Sequence, residues 1–223
     1  MKAIIFDSGP IINLSLNGLL PLIEKLKSVF KGKFLITSQV KQEIYERPVH
    51  IPQFELGALR IKDLIDKKIL EMPESLDINS KQVDMLTRKF MEEANHAMQV
   101  DNHHVQLVSD AEMSCLALSL ELKNKGIESI IAVDERTARM LCEKPENLEK
   151  IMSMHLHKQV NLVNSLNSFK GFSFVRSSEL VYVAYKLDLI QIADPRTLEA
   201  LILATKFKGS SISWEEINIL KKL

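Results

Sequence analysis

Residues 2–13 read KAIIFDSGPIIN. A short, β-branched apolar run stops on Asp7, Ser8, Gly9 and Pro10, which reads as a buried strand closed by a Gly-Pro breaker. From 11 to 30 apolar residues recur at helical spacing (Ile12, Leu16, Leu19, Leu20, Ile23, Leu26, Phe30), and Gly32 closes the stretch. The chain therefore opens as a strand followed directly by a helix. Asp7, at the junction, is open to three readings: a helix cap, a turn residue, or the first ligand of a metal site.

Outward from this unit the same alternation returns. KFLITS (33–38) reads as a second strand, with Ser38 able to cap a helix over QVKQEIY. Residues 55–67 read as a helix and KKILEM (67–72) as a third strand. Asn79 or Ser80 starts an amphipathic helix to about residue 98, with Val83, Leu86, Phe90, Ala94 and Ala97 on one face. QVDNHHVQLV (99–108) reads as a loop. SDAEMSCLALSLELKNKG (109–126) is a helix marked by Ser109 at its start and Gly126 at its stop. IESIIAVDE (127–135) is a strand ending on acids, RTARMLCEK (136–144) a short helix, and KQVNLVNS (158–165) a last strand. Strands alternating with helices predict an α/β fold with a parallel sheet covered by helices.

The expected organisation is a domain over 1–163, an Asn-, Ser- and Gly-rich linker over 164–178, and a small helical C-terminal extension over 179–223. In the extension, Asp194-Pro195 reads as an N-cap with proline at the first helical position, and Gly209 as that helix's end. Ser213 with Glu216 fits a capping box.

Composition narrows the function classes. Lys plus Arg and Asp plus Glu both number 29, so the formal net charge is zero. That argues against broad electrostatic adhesion to nucleic acid, while leaving room for a local basic rim. There is no CxxC, which excludes a zinc ribbon, and Cys115 and Cys142 read as buried thiols. No signal peptide or membrane-length apolar run is visible, so a cytoplasmic protein without a membrane association is expected.

The acids are the informative residues. Asp7 ends the first strand, Glu43 lies on the helix after the second, Asp110 and Glu112 begin a helix, and Asp134, beside Glu135, ends a strand. In a parallel α/β sheet the ligand site gathers at the carboxyl ends of the strands, so these distant acids are expected to converge. Clustered carboxylates resist ionisation unless a cation sits among them. Hard oxygen ligands suit Mg²⁺ or Mn²⁺, which polarise a phosphoryl oxygen and activate water for in-line attack. Each acid also has a structural reading: Glu112 as the capping-box partner of Ser109, Asp134 as an N-cap, Asp7 as a turn residue, Glu43 as a solvated helix residue.

IIFDSGPII, TSQVKQEI, VSDAEMSCLALSLEL and IIAVDERTARML resemble, in order and approximate spacing, the successive motifs of PIN-domain nucleases. The resemblance covers residues 1 to about 163. It implies a three-layer α/β/α fold and a Mg²⁺- or Mn²⁺-dependent endoribonuclease whose product carries a 5′-phosphate. Asp7, Glu43, Asp134 and the acid at the 109–112 helix start would be metal ligands, and Ser8 matches the family's supporting hydroxyl. LVSDAEMSCLALSLEL, with the long helical insertion before it, is similar to the Nob-type ribosomal RNA endonucleases, aligned so that their motif acid falls on Glu112. Toxin-type members often carry an acid at the position of Asp110 as well, and DERTAR is similar to their DDRxAR. The chain departs from the first group in lacking a zinc ribbon and from small toxins in its length and in residues 164–223. RNA processing and a toxin-like RNase therefore both stand as expected roles, with a catalytically weak scaffold module as the alternative.

Arg136 and Arg139 are candidates for RNA phosphate contacts, or else surface charge. Lys41, Arg47 and Lys144 extend the same rim. His103 and His104 read as a solvated loop pair, and His155 and His157 carry little metal signal. Aromatic residues make up 6% of the chain, which gives no indication of a base-stacking platform. The C-terminal helices are open to three roles: docking on the core, forming a homodimer face, or binding an RNA or a regulatory protein.

Overall fold

The apolar run at the N-terminus forms strand β1 (Lys2–Phe6), with Ala3, Ile5 and Phe6 buried. The computed structural model describes all 223 residues, Met1–Leu223. After β1 come helices α1 (Ser8–Leu16) and α2 (Pro21–Val29), then strand β2 (Lys33–Leu35). Helix α3 (Ser38–Lys41) widens into a π-turn over Gln42–Glu46, and α4 (Pro52–Asp66) and α5 (Ser80–Asn95) follow. The hairpin of β3 (Met98–Val100) and β4 (His103–His104) leads to α6 (Asp110–Asn124) and β5 (Glu128–Ala132). Helices α7 (Arg136–Glu143) and α8 (Leu148–Leu156), then β6 (Asn161–Leu162), precede β7 (Phe174–Val175). Helices α9 (Ser177–Lys186), α10 (Thr197–Phe207) and α11 (Trp214–Leu220) end the chain.

The main sheet is parallel, in the order β2-β1-β5-β7. The chain leaves β1 toward β2 on one side and returns to the other side at β5. Crossovers between parallel strands are right-handed, so this reversal sends α1 and α2 to one face and α6 to the other. Helix α6 packs on β1 and β5 and is backed by α5, while α1 and α2 pack against α9. The reversal makes the carboxyl ends of β1 and β5 a topological switch point, where open α/β sheets leave a crevice.

The structure corrects several local expectations. The helix expected over 11–30 is two helices, because Asn17 ends α1, Gly18 takes a positive φ of 68° and Pro21 restarts the chain. Thr37, not Ser38, caps α3, accepting from the Val40 N–H. KKILEM provides only one bridge, Glu71 beside Leu35, rather than a strand. The expected loop 99–108 contains the hairpin, turned by Asp101 and Asn102 at φ 49° and 64°. The β6 part of KQVNLVNS pairs antiparallel with β3 in a small separate sheet, not in the main one. The expected cap at Asp194 is displaced: its side chain accepts from Arg196 N–H and the helix begins at Thr197.

The fourth strand of the main sheet lies instead within 164–178, where a linker was expected. Val133 N–H donates to Val175 O (2.9 Å), so the open edge of β5 recruits Phe174 and Val175. Phe169 in the same stretch is fully buried. One hydrophobic core runs from Ala3 through Phe169 to Val181, Ile202 and Ile217, so the helices expected as an extension share the core of the sheet. No helix is long and apolar enough to cross a membrane.

Candidate functional site

The register of the sheet lines up the residues that matter. Phe6 pairs with Ala132, and the Asp7 N–H donates to Ala132 O (2.9 Å), so Asp7 and Asp134 emerge from adjacent strands at nearly the same level. Gly9 lies between them: a methyl group there would sit 3.5 Å from Asp134 Cβ and 3.6 Å from Asp7 Oδ2. Arg176 and Ser177, directly after β7, continue the same edge.

Asp7 is 4% exposed. It caps α1 through a long contact, Gly9 N–H to Oδ2 at 3.5 Å, and its Oδ1 is buried with no hydrogen-bond partner. Burial, followed by the charges of Glu112 and Glu43, pushes its carboxyl up to about 7, against the opposing pull of the Ser8 and Gly9 amides.

Helix α6 supplies the next carboxylate. Ser109 and Glu112 form the expected capping box, with Ser109 N–H donating to Glu112 Oε2 at 2.7 Å. This fixes Glu112 toward the crevice, and burial, with Glu135 and Glu43 adding repulsion, pushes its carboxyl up to about 7 against the Ser109 contacts. Of the two acids at this helix start, Glu112 is the one whose charge reaches Asp7. Asp110 is exposed on the first turn. Asp7 and Glu112 also share the wall of a void of about 10 Å³ with Cys115, whose thiol is driven well upward by burial and by those two acids.

Glu43 reaches the site because of how α3 is anchored. Thr37 Oγ1, besides capping α3, lies 2.6 Å from Ser114 Oγ on α6, and both hydroxyls are buried. Glu43 sits in the π-turn that follows, half-buried; such turns insert an extra residue into a helix and re-aim its side chains. Glu135 is exposed and caps α7, accepting from Ala138 N–H at 2.8 Å.

Asp134 differs from all of these. It is 3% exposed, and each carboxylate oxygen has a donor: Ser177 N–H at 2.8 Å to Oδ1 and Asn13 Nδ2 at 3.0 Å to Oδ2. Its backbone O accepts from Ser211 N–H (3.1 Å). Asp134 therefore ties β5 to α1, α9 and the segment before α11. Asn13 is the residue that sequence reasoning missed. Its Nδ2 lies within hydrogen-bond reach of Asp134, Ser177 Oγ (3.1 Å) and Thr205 O (2.8 Å). The signal was present: Asn13 shares the buried face of α1 with Pro10, Ile11 and Leu14, where a lone amide must have partners.

In donor chemistry these residues fit a divalent cation. Asp7, Glu112 and Glu43 are hard oxygen donors, Asp7 Oδ1 is an unused buried acceptor, and the mutual repulsion is what a cation relieves. The side chains are not drawn into one coordination sphere, since no three His, Cys, Asp or Glu groups close on a common point. Arg136 is exposed; Arg139 is half-buried and pairs with Glu143 at 3.1 Å. His103 and His104 lie exposed on the hairpin, His104 edge-on to His96 at 4.6 Å, and His155 and His157 are exposed at the end of α8. No protein-family model, curated protein or solved structure matches this chain.

Proposed function

We propose that the chain is a PIN-like endoribonuclease with a three-layer α/β/α core, dependent on Mg²⁺ or Mn²⁺ and acting in cytoplasmic RNA processing or as a toxin-like RNase. The observation that carries this reading is Asp7. It is a buried carboxylate with an unpartnered oxygen, at the switch point of a parallel sheet, facing the charges of Glu112 and Glu43. Asp7, Glu43 and Glu112 would hold the ion, which would supply Lewis-acid polarisation of the phosphodiester and activation of water. With their carboxyls pushed up to about 7, Asp7 and Glu112 would share protons near neutral pH and would give them up on holding the ion. Ser109 orients Glu112, while the Asp134–Asn13 contact holds α1, whose N-cap is Asp7. Asp110, Glu135 and the basic Arg136 and Arg139 form the outer rim toward the RNA.

One observation favours a second reading, a PIN-like RNA- or protein-binding module without catalysis: the carboxylates do not close on a common point. Single-stranded and structured RNAs incubated with Mn²⁺ or with chelator separate the two. The nuclease reading expects cleavage that requires the metal and disappears in Asp7→Asn and Glu112→Gln. Cleavage that survives both substitutions overturns the site, and tight RNA binding without metal-dependent cleavage selects the module.

A further inference from the structure

The buried side-chain polar atoms that lack a hydrogen-bond partner are four: Asp7 Oδ1, Arg139 Nε, Arg176 Nε and Ser211 Oγ. The last three are all donors, and all three belong to residues lining one cavity of about 530 Å³ between α7 and the segment that joins α10 to α11. Arg136, Lys144 and Lys206 line it too, so five cationic side chains face two carboxylates, Glu143 and Glu216. Burying a guanidinium N–H or a hydroxyl without an acceptor is costly. Three such donors among the residues of one cavity favour an anionic ligand there.

The cavity is built rather than incidental. Arg176 is 5% exposed, and its other nitrogens are fixed by Glu179 and Glu216, both at 2.8 Å. That clasp leaves Nε as the spare donor. Ser211 is held by its N–H on Asp134 O (3.1 Å), which places the cavity beside the acidic edge. The volume exceeds what a bare phosphate fills. Phe207 lines it, 71% exposed, and packs edge-on to Trp214 (6.3 Å), itself 54% exposed, with Lys206 Nζ 5.0 Å from the Trp214 ring centre. Exposed aromatic faces beside a cluster of guanidinium donors suit a base stacked next to its phosphate.

We propose that this cavity binds one nucleotide unit of the RNA strand, its phosphate on Arg139, Arg176, Lys206 and Ser211 and its base beside Phe207 and Trp214. The proposal rests on the nuclease reading for the identity of the strand. It gives the C-terminal helices a part in holding substrate next to Asp134.

The test uses the full chain in chelator, so that no cleavage intervenes. Trp214 is the single tryptophan, and its fluorescence reports on a short single-stranded RNA, on adenosine 5′-monophosphate and on inorganic phosphate. RNA is expected to change the emission. Lys206→Gln and Ser211→Ala, which leave the Arg176 clasp intact, are each expected to weaken binding by about tenfold, with the salt slope reduced by about 1 for the lysine variant. Arg139→Lys keeps the charge and loses the planar donor, and is expected to weaken binding as well. Binding and salt slope unchanged in all three variants would overturn the proposal. So would phosphate or mononucleotide binding that RNA does not displace. Variant-sensitive binding with no cleavage under any metal supports the cavity and removes the nuclease reading. Cleavage at wild-type rate and affinity in all three variants supports the nuclease and removes the cavity.

Discussion

Asp7 and Asp134 end neighbouring parallel strands, flank the same glycine and are 4% and 3% exposed, yet their surroundings are opposite. Both oxygens of Asp134 are met by donors at 2.8 and 3.0 Å. Asp7 has one contact at 3.5 Å and one oxygen with nothing. The first is a buried carboxyl with a hydrogen-bond donor on each oxygen. The second is a buried carboxyl with one oxygen left without a donor, set against Glu112 and Glu43. Burial alone does not separate the two acids; the unmet acceptor capacity of Asp7 does, and the proposed metal role rests on it.

The largest effect is expected from Asp134→Ala. It strips acceptors from the Asn13 amide and the Ser177 N–H and should cost about 2–4 kcal/mol in urea unfolding, the scale of leaving two buried donors unsatisfied. A cost below about 1 kcal/mol would mean that Asp134 does not hold the edge together. Asp7→Asn should do the reverse in part. It should keep the fold and lower Mn²⁺-dependent RNA cleavage roughly a hundredfold or more, the scale of losing one preorganised electrostatic contact.

A third effect concerns pH. In the folded chain the Asp7 carboxyl is pushed from 3.8 to about 7, so the folded state binds this proton more tightly than the unfolded chain does. Its stabilisation is complete below the unfolded value and is lost as pH rises toward and through 7. In chelator, the wild type should therefore lose on the order of 2–4 kcal/mol between pH 4 and 8, and Glu112 adds in the same direction. Asp7→Asn should flatten the profile, and Mn²⁺ at pH 8 should restore the wild type. A wild-type profile that rises with pH over this window contradicts the unsolvated-acid picture. The smallest effect is expected for Gly9→Ala. The added methyl meets only ordinary contacts, so the helix should gain roughly 0.5–1 kcal/mol, while the methyl narrows the gap between the two aspartates. Tm and cleavage measured together should move in opposite directions.

Much of this was legible in the sequence. β1, β2 and β5 show as short apolar runs, β1 and β5 followed by acids, and Ser109 with Glu112 announces a helix start. In the C-terminal helices, the Ser213–Glu216 capping box and the stop at Gly209 were visible, while the start of α10 lay at Thr197 rather than behind an Asp194 cap. What was not legible depended on partners distant in the chain. Phe174-Val175 is too short to read as a strand and becomes one only because β5 offers a free edge. The Asp101-Asn102 turn lacks the glycine that marks most two-residue hairpins. Whether Asp110 or Glu112 addresses Asp7 turns on which side of α6 faces the sheet.

The sequence by itself determined the α/β alternation, the placement of acids directly after β1 and β5 and in the first turn of α6, and the capping box that orients Glu112. These are local: periodicity, breakers and caps act within a few residues. Only the tertiary structure decided that Asp134 is satisfied and Asp7 is not, because the deciding donors, Asn13 and Ser177, arrive from two different helices. It also decided that residues 164–223 share the core and bring Arg176 and Ser211 beside Arg139. Hydrogen-bond satisfaction and charge coupling are properties of neighbours in space, and in this chain those neighbours lie more than a hundred residues apart.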